Sequence, residues 1–174
     1  MRVLGVDPGT VATGWGVVEQ SGRTLAYHAG GVIRARGVLA ERLAHIFDEL
    51  DRVCAAHLPA CISLEKSFVG DNVQSAFRLG EARGAILVAA ARAGIPVSEY
   101  TPAEIKLAVT GTGRASKDHM QTMVGRLLRR DGPIAADEAD ALGAAICHLY
   151  TARFAAQVAS ATARRRTATG APLR

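Results

Sequence analysis

Residues 135–142 read AADEADAL and place three acids, Asp137, Glu138 and Asp140, within four positions. On a helix, residues three apart share a face, with Cβ atoms about 5–6 Å apart, so Asp137 and Asp140 can aim at one point while Glu138 is rotated away. Two readings are open. An acid in a helix's first turn is favoured by the helix dipole, which makes Asp137 a capping acid and Asp140 a solvated one. The neighbours, Ala135, Ala136, Ala139, Ala141, Leu142, Ala144, Ala145 and Ile146, argue for the other. An acid-bearing face packed that closely into a protein requires a cation. Two more acids close short apolar runs: Asp7 ends VLGVD before a Pro-Gly turn, and Glu65 ends CISLE. Asp7 can instead stabilise its own turn; Glu65 must find solvent or a partner. Together these four carboxylates offer the all-oxygen ligand set that selects hard cations such as Mg²⁺ or Mn²⁺. Two such ions, about 4 Å apart, can activate water and stabilise the leaving oxygen of a phosphodiester.

The letters DEAD also occur in ATP-driven helicases, but that acidic box works beside a phosphate-cradling GxxxxGK[ST] loop. No lysine in this chain follows a glycine, and 174 residues are too few for paired motor domains.

The elements that must position the acids are readable from periodicity. RVLGVD, GWGVVEQ and TLAYHAGGVI, separated by DPGT and QSGR, predict an antiparallel meander over the first 33 residues. Leu39, Leu43, Ile46, Leu50 and Val53 recur at helical spacing, predicting a helix that ends near His57. ACISLE reads as a strand covered on both faces. Helices are expected over about 72–93, 116–130 and 137–159, with PVSEY as a further strand. A meander followed by alternating helices and strands predicts one α/β domain, a mixed five-stranded sheet with helices on both faces.

Hydrophobic residues make up 49% of the chain, enough for a sizeable core. No apolar run approaches the roughly 18 residues that span a bilayer, and MRVLGVDPGT lacks a signal-peptide core, so a cytoplasmic protein with no membrane partner is expected. Cys54, Cys61 and Cys147 form no CxxC pair and read as buried thiols. The net charge of +5 is unevenly spread. Residues 1–150 hold 16 basic and 16 acidic side chains, leaving all five excess arginines in the last 24 residues. That tail reads as a frayed terminus that either touches a polyanion or is simply solvated. Residues 101–130 also carry six Lys and Arg against Glu104 and Asp118, a basic region within the body.

Four ordered blocks, GVDPGTVATGWGVV, SLEKSF at 63–68, SAFRLGEARG at 75–84 and DEADALGAAI at 137–146, resemble the RuvC family of Holliday-junction resolvases from residue 1 to about 150. The resemblance implies a ribonuclease H-like fold over residues 1–157, followed by a basic, flexible tail at 158–174. It also implies a homodimeric endonuclease that cuts four-way DNA junctions in recombination and repair, with two Mg²⁺ per site, replaceable by Mn²⁺, and with RuvA and RuvB as partners. By motif match Asp7, Glu65, Asp137 and Asp140 take the catalytic, metal-binding positions. Phe68 matches an aromatic that unstacks bases at the crossover, against an alternative of core packing. Lys106 and Lys117 match positions that contact the junction backbone. Lys66 departs from the glutamine many members carry there; it removes no ligand. Trp15 reads as sheet packing, and His119 and His148, without metal-ligand spacing, read as structural. Gly80 and Gly84, with Ala76 and Ala82, allow a second backbone to approach their helix, either a dimer partner or the chain's own sheet.

Three rivals remain at this stage. An RNA:DNA-hybrid nuclease shares the carboxylates. A phosphotransferase of the actin and sugar-kinase group shares GVDPGT but needs a second DxG-type loop and about twice the length. A junction-binding protein without catalysis is opposed by the intact four-acid set.

Overall fold

The computed structural model describes residues 1–66 and 73–169. Along the chain run β1 (Arg2–Asp7), β2 (Ala12–Ser21), β3 (Thr24–Arg34), α1 (Leu39–His57), β4 (Cys61–Glu65), α2 (Val73–Arg92), β5 (Val97–Tyr100), α3 (Pro102–Thr110), α4 (Lys117–Leu128) and α5 (Ala136–Thr169). The sheet order is β3-β2-β1-β4-β5. The meander pairs antiparallel, while β4 joins β1 and β5 joins β4 in parallel, giving the expected mixed five-stranded sheet.

Side chains on a strand alternate between faces, and the two cores divide accordingly. Val3 and Val18 join a core with Ile105 and Val109 of α3, Met120 and Val124 of α4, and Leu142, Ile146 and Leu149 of α5. Leu4, Val6 and Val17 face the opposite way, against Ile46 and Leu50 of α1 and Ile86 of α2. Every strand that separates these cores is apolar on both faces, which is why CISL carries no polar alternation beyond Ser63. All three cysteines are buried and free. Trp15 packs against the α1–α2 core, as expected. His148 is half-buried and bonds the Tyr100 hydroxyl at 2.9 Å, and burial lowers its pKa; His119 is instead exposed on α4.

Two helices depart from expectation. α5 continues to Thr169 instead of ending near 159. α3 has no counterpart in the periodicity reading, because a nine-residue helix spans too few turns to show a stripe. Its ends are nonetheless written in TPAEIKLAVTG. Thr101 accepts from the Glu104 amide, Glu104 reaches back to the Thr101 amide at 2.7 Å, Pro102 opens the helix and Gly111 closes it at φ 78°.

Candidate active site

Asp7 is the last residue of β1 and Glu65 the last of β4. The two strands are parallel neighbours in the register Val6↔Leu64, so both acids emerge at the same edge of the sheet. Alternation sends Val3, Gly5 and Asp7 to one face. That is the face of α5: a Cβ on Gly5 would run into the backbone carbonyl of Ala141 and come within 2.8 Å of the Ala145 nitrogen. Ser63 on β4 faces the same way and donates to the Ala144 carbonyl at 2.7 Å, which puts Glu65, two residues on, toward α5 as well. On β2 the backbone of α5 comes just as close, since a Cβ on Gly14 would meet the Asp137 carbonyl. Missing side chains on β1 and β2 therefore let α5 lie directly on the sheet. Its first turn, carrying Asp137 and Asp140, ends up over the strand ends that carry Asp7 and Glu65.

Asp7, Glu65 and Asp140 line a cleft of about 280 Å³ whose other walls are Pro102, Ile105 and Lys106 of α3 and Lys117 and Met120 of α4. A larger hollow, about 620 Å³ beneath α4 and the turn that follows it, is lined by Arg126, Arg129 and Arg130 and contains none of these carboxylates. The chemistry belongs to the smaller cleft.

The electrostatics identify the acids as one group. Asp7 is pushed up to about 7, first by burial and then by the negative charges of Glu65, Asp140 and Asp137, with Lys117 opposing. Glu65 is raised by burial and by Asp140, and both lysines act against the rise. Asp140 is likewise raised, mainly by burial, with Lys117, Asp137 and Lys106 the charges that act on it. Half-buried carboxylates that hold each other protonated form a set awaiting a multivalent cation. Their donor chemistry fits Mg²⁺ or Mn²⁺. Among the described residues, no three carboxyl, imidazole or thiol groups converge into a finished coordination cage. The acids lie near one another with their last adjustment still to be made.

The structure thus brings together Asp7, Glu65, Asp140, Lys106 and Lys117 around one cleft, with Asp137 close enough to act on Asp7 and Asp140. Phe68 lies outside the described residues. Glu138 was read as simply rotated off the acid face; it is 6% exposed and ion-paired to Arg130. Only the long-range position of Arg130 could have revealed that partner.

A family model described as crossover junction endodeoxyribonuclease RuvC matches residues 3–148. A RuvC of Cupriavidus metallidurans is 49% identical over 150 residues, spanning 85% of this chain and 83% of the relative. The RuvC of Hyphomonas neptunium is also 49% identical, over 84% of this chain and 89% of the relative. Among solved structures, Thermus thermophilus RuvC in complex with a Holliday junction substrate superposes with a TM-score of 0.84 at 33% identity, covering 89% of this chain and 96% of that one. With a mixed sheet of matching architecture and the family's motifs at their expected places, the chain belongs to the RuvC family, crossover junction endodeoxyribonucleases of ribonuclease H-like fold.

Proposed function

We propose that the protein resolves four-way DNA junctions by paired, symmetric nicks in strands of like polarity, through two-metal-ion phosphodiester hydrolysis. The observation that carries this reading is the gathering of acids from β1, β4 and α5 beside two lysines in one cleft, in a chain of this family. Asp7, which feels all three other carboxylates, would be shared between two ions, with Glu65 completing one site and Asp137 and Asp140 the other. When bound, Mg²⁺ or Mn²⁺ supplies Lewis acidity for in-line attack of water and departure of the 3′ oxygen. Cleavage of this kind leaves 5′-phosphate and 3′-hydroxyl ends that a ligase can seal.

Lys106 and Lys117 have two tasks in this scheme. In the free protein they offset the carboxylate charge. With DNA present they contact the phosphates on either side of the scissile bond. Lys106→Ala and Lys117→Ala should each weaken junction binding about threefold to tenfold and reduce the slope of log K against log salt by about 1. Unchanged slopes in both variants would remove them from the DNA interface.

A homodimer supplies the two active sites that paired nicks require. On α2, Phe77 and Val88 are 70% and 54% exposed, and a Cβ on Gly80 or Gly84 would meet nothing within 4 Å. The small residues of α2 are thus not used to pack it on its own sheet, and they leave an open, apolar outer face. Gly84→Arg should fold, since the position is open, yet sediment as a monomer that binds junctions without paired cutting; a dimeric Gly84→Arg protein would place the interface elsewhere. Residues 155–163 of α5 are exposed, in keeping with a nuclease domain at 1–157 and a basic extension at 158–174. No described helix is long and apolar enough to cross a membrane, and we place the protein in the cytoplasm with its DNA.

The deciding experiment incubates a synthetic four-way junction with a mobile core, labelled on each strand in turn, with Mg²⁺, Mn²⁺ or EDTA, beside linear duplex and RNA:DNA hybrid. Symmetric paired nicks confined to the junction and abolished by EDTA are expected. Cleavage of the hybrid, or tight junction binding without cutting under either metal, would reject the proposal.

A further inference from the structure

We infer that Glu138, Arg130 and Tyr27 form a clamp that sets the position of the first turn of α5, and through it the carboxylates of Asp137 and Asp140; this rests on the metal-binding reading above. Glu138 stands between those two acids but points away from them into the protein, where it is 6% exposed. Its Oε1 accepts from the Arg130 guanidinium and, at 3.5 Å, from the Tyr27 hydroxyl. The same guanidinium lies 4.5 Å above the centre of the Tyr27 ring. Room for the carboxylate is made on β3, where a Cβ on Gly30 would come within 2.7 Å of Oε1. Three separate elements therefore meet at one atom: β3 through Tyr27 and Gly30, the chain leaving α4 through Arg130, and α5 through Glu138.

Arg130 is itself held. α4 ends with Arg129 in the left-handed region at φ 51°, and the Arg130 amide bonds back to the Gly125 carbonyl at 2.9 Å. A buried ion pair is rarely the most stabilising way to fill space, since apolar groups of similar volume do as well or better. What it adds is directional: a charged pair with a ring beneath it is satisfied at one position only. α5 needs that. It rests on the sheet through glycines and alanines, Gly5, Gly14, Ala141 and Ala145, which impose little resistance to sliding or rotation along the helix axis. Its first turn also lacks the intrahelical bonds that hold later turns. The clamp fixes the helix at Glu138, one residue from Asp137 and two from Asp140. None of its three side chains lines the catalytic cleft, so these are positioning residues.

The test is Mn²⁺ binding by the full chain without DNA, followed by electron paramagnetic resonance, for wild type, Arg130→Met, Glu138→Gln, the double variant and Asp7→Asn, each first shown to be folded by circular dichroism. Loss of a nearby positive charge would by itself tighten Mn²⁺ binding and loss of a negative charge would weaken it, so electrostatics alone moves the two single variants in opposite directions. A clamp moves them together. Arg130→Met and Glu138→Gln should each weaken Mn²⁺ binding fivefold or more, and the double variant should be no weaker than the worse single. Arg130→Met leaves a buried carboxylate unpaired; should it fail to fold, Glu138→Gln, which keeps the shape and an acceptor oxygen, and the apolar pair Arg130→Met/Glu138→Met carry the comparison. Folded variants that bind Mn²⁺ within twofold of wild type, or that shift in opposite directions, overturn the clamp. Asp7→Asn separates the two levels: Mn²⁺ binding that survives in that variant removes the metal reading itself, whereas its loss beside unaltered Arg130→Met and Glu138→Gln removes the clamp alone.

Discussion

Asp7→Asn should lose cleavage by a factor of about 10³ or more while binding four-way junctions with near wild-type affinity, and its metal-free form should melt higher than wild type at pH 8. The first effect follows from the place of Asp7 among the acids. It is the carboxylate on which Glu65, Asp140 and Asp137 all act, and several kcal/mol of transition-state stabilisation pass through a metal ligand of this kind, each 1.4 kcal/mol being tenfold in rate. The second follows from the sign of the shift. A carboxyl raised from an ordinary 3.8 to about 7 is better tolerated protonated in the folded state. Its contribution to stability is complete below about pH 4 and is lost as the pH climbs to 7, a total of about 2–4 kcal/mol. Wild type in EDTA should therefore melt lower at pH 8 than at pH 5, and Asp7→Asn, which has no charge to bury, should gain about 5 °C or more at pH 8. The measurements are strand-specific junction cleavage, gel-shift affinity in Ca²⁺ or EDTA, and thermal melts at both pH values. Cleavage within a hundredfold of wild type, or an unchanged melting point at pH 8, would contradict the assignment of Asp7 as a buried ligand.

Gly5→Ala should be among the most damaging single substitutions in the chain. A methyl group there would overlap the Ala141 carbonyl oxygen and approach the Ala145 nitrogen to 2.8 Å, and both obstacles are backbone. Neither can rotate aside, so α5 would have to lift from β1. Overpacking with no flexible neighbour to absorb it costs on the order of 4 kcal/mol or more, which for a chain of this size lowers Tm by about 10 °C or more. Lifting α5 also draws Asp137 and Asp140 away from Asp7, so any folded fraction should cut junctions poorly even well below its melting point. Gly125→Ala is the matched control. There the nearest neighbours of an added methyl stand at 3.7–3.8 Å, ordinary contact, and the position is inside α4. It should be neutral or stabilise by up to about 1 kcal/mol. A Gly5→Ala protein melting within about 2 °C of wild type would mean that α5 does not lie as close to the sheet as described.

Much of this arrangement was legible in the chain because local rules and global packing agree. VLGVD and CISLE each read as a buried strand closed by an acid, and both are; Asp137 and Asp140 read as one helical face, and both act on Asp7. What periodicity could not convey is adjacency. That Asp7 and Glu65 sit side by side depends on β4 inserting next to β1 and not beside β3, a choice made by the parallel pairing and the helices around it. Lys106 illustrates a second kind of loss. It matched a family position without a visible element to hold it, because α3 is short and its evidence lies in the Thr101–Glu104 capping box and not in an apolar stripe. Glu138 illustrates a third. Sequence spacing correctly turned it off the acid face, but nothing local marks a buried partner eight residues upstream in an irregular turn.

The direction in which the ribosome reads this chain has a consequence for the cell. Asp7 and Glu65 belong to the first strands of the sheet, whereas Asp137 and Asp140 ride on α5, which follows every other described element. A nascent or prematurely terminated product that stops before residue 137 holds at most two of the four acids, and it lacks the helix that covers their face of the sheet. The phosphodiester-cutting centre is thus completed only after the scaffold, the lysine-bearing helices and the outer face of α2 have all been synthesised. Abortive translation of a DNA-cutting enzyme then yields fragments without a complete cutting centre, a safeguard that arises from gene order within a single domain.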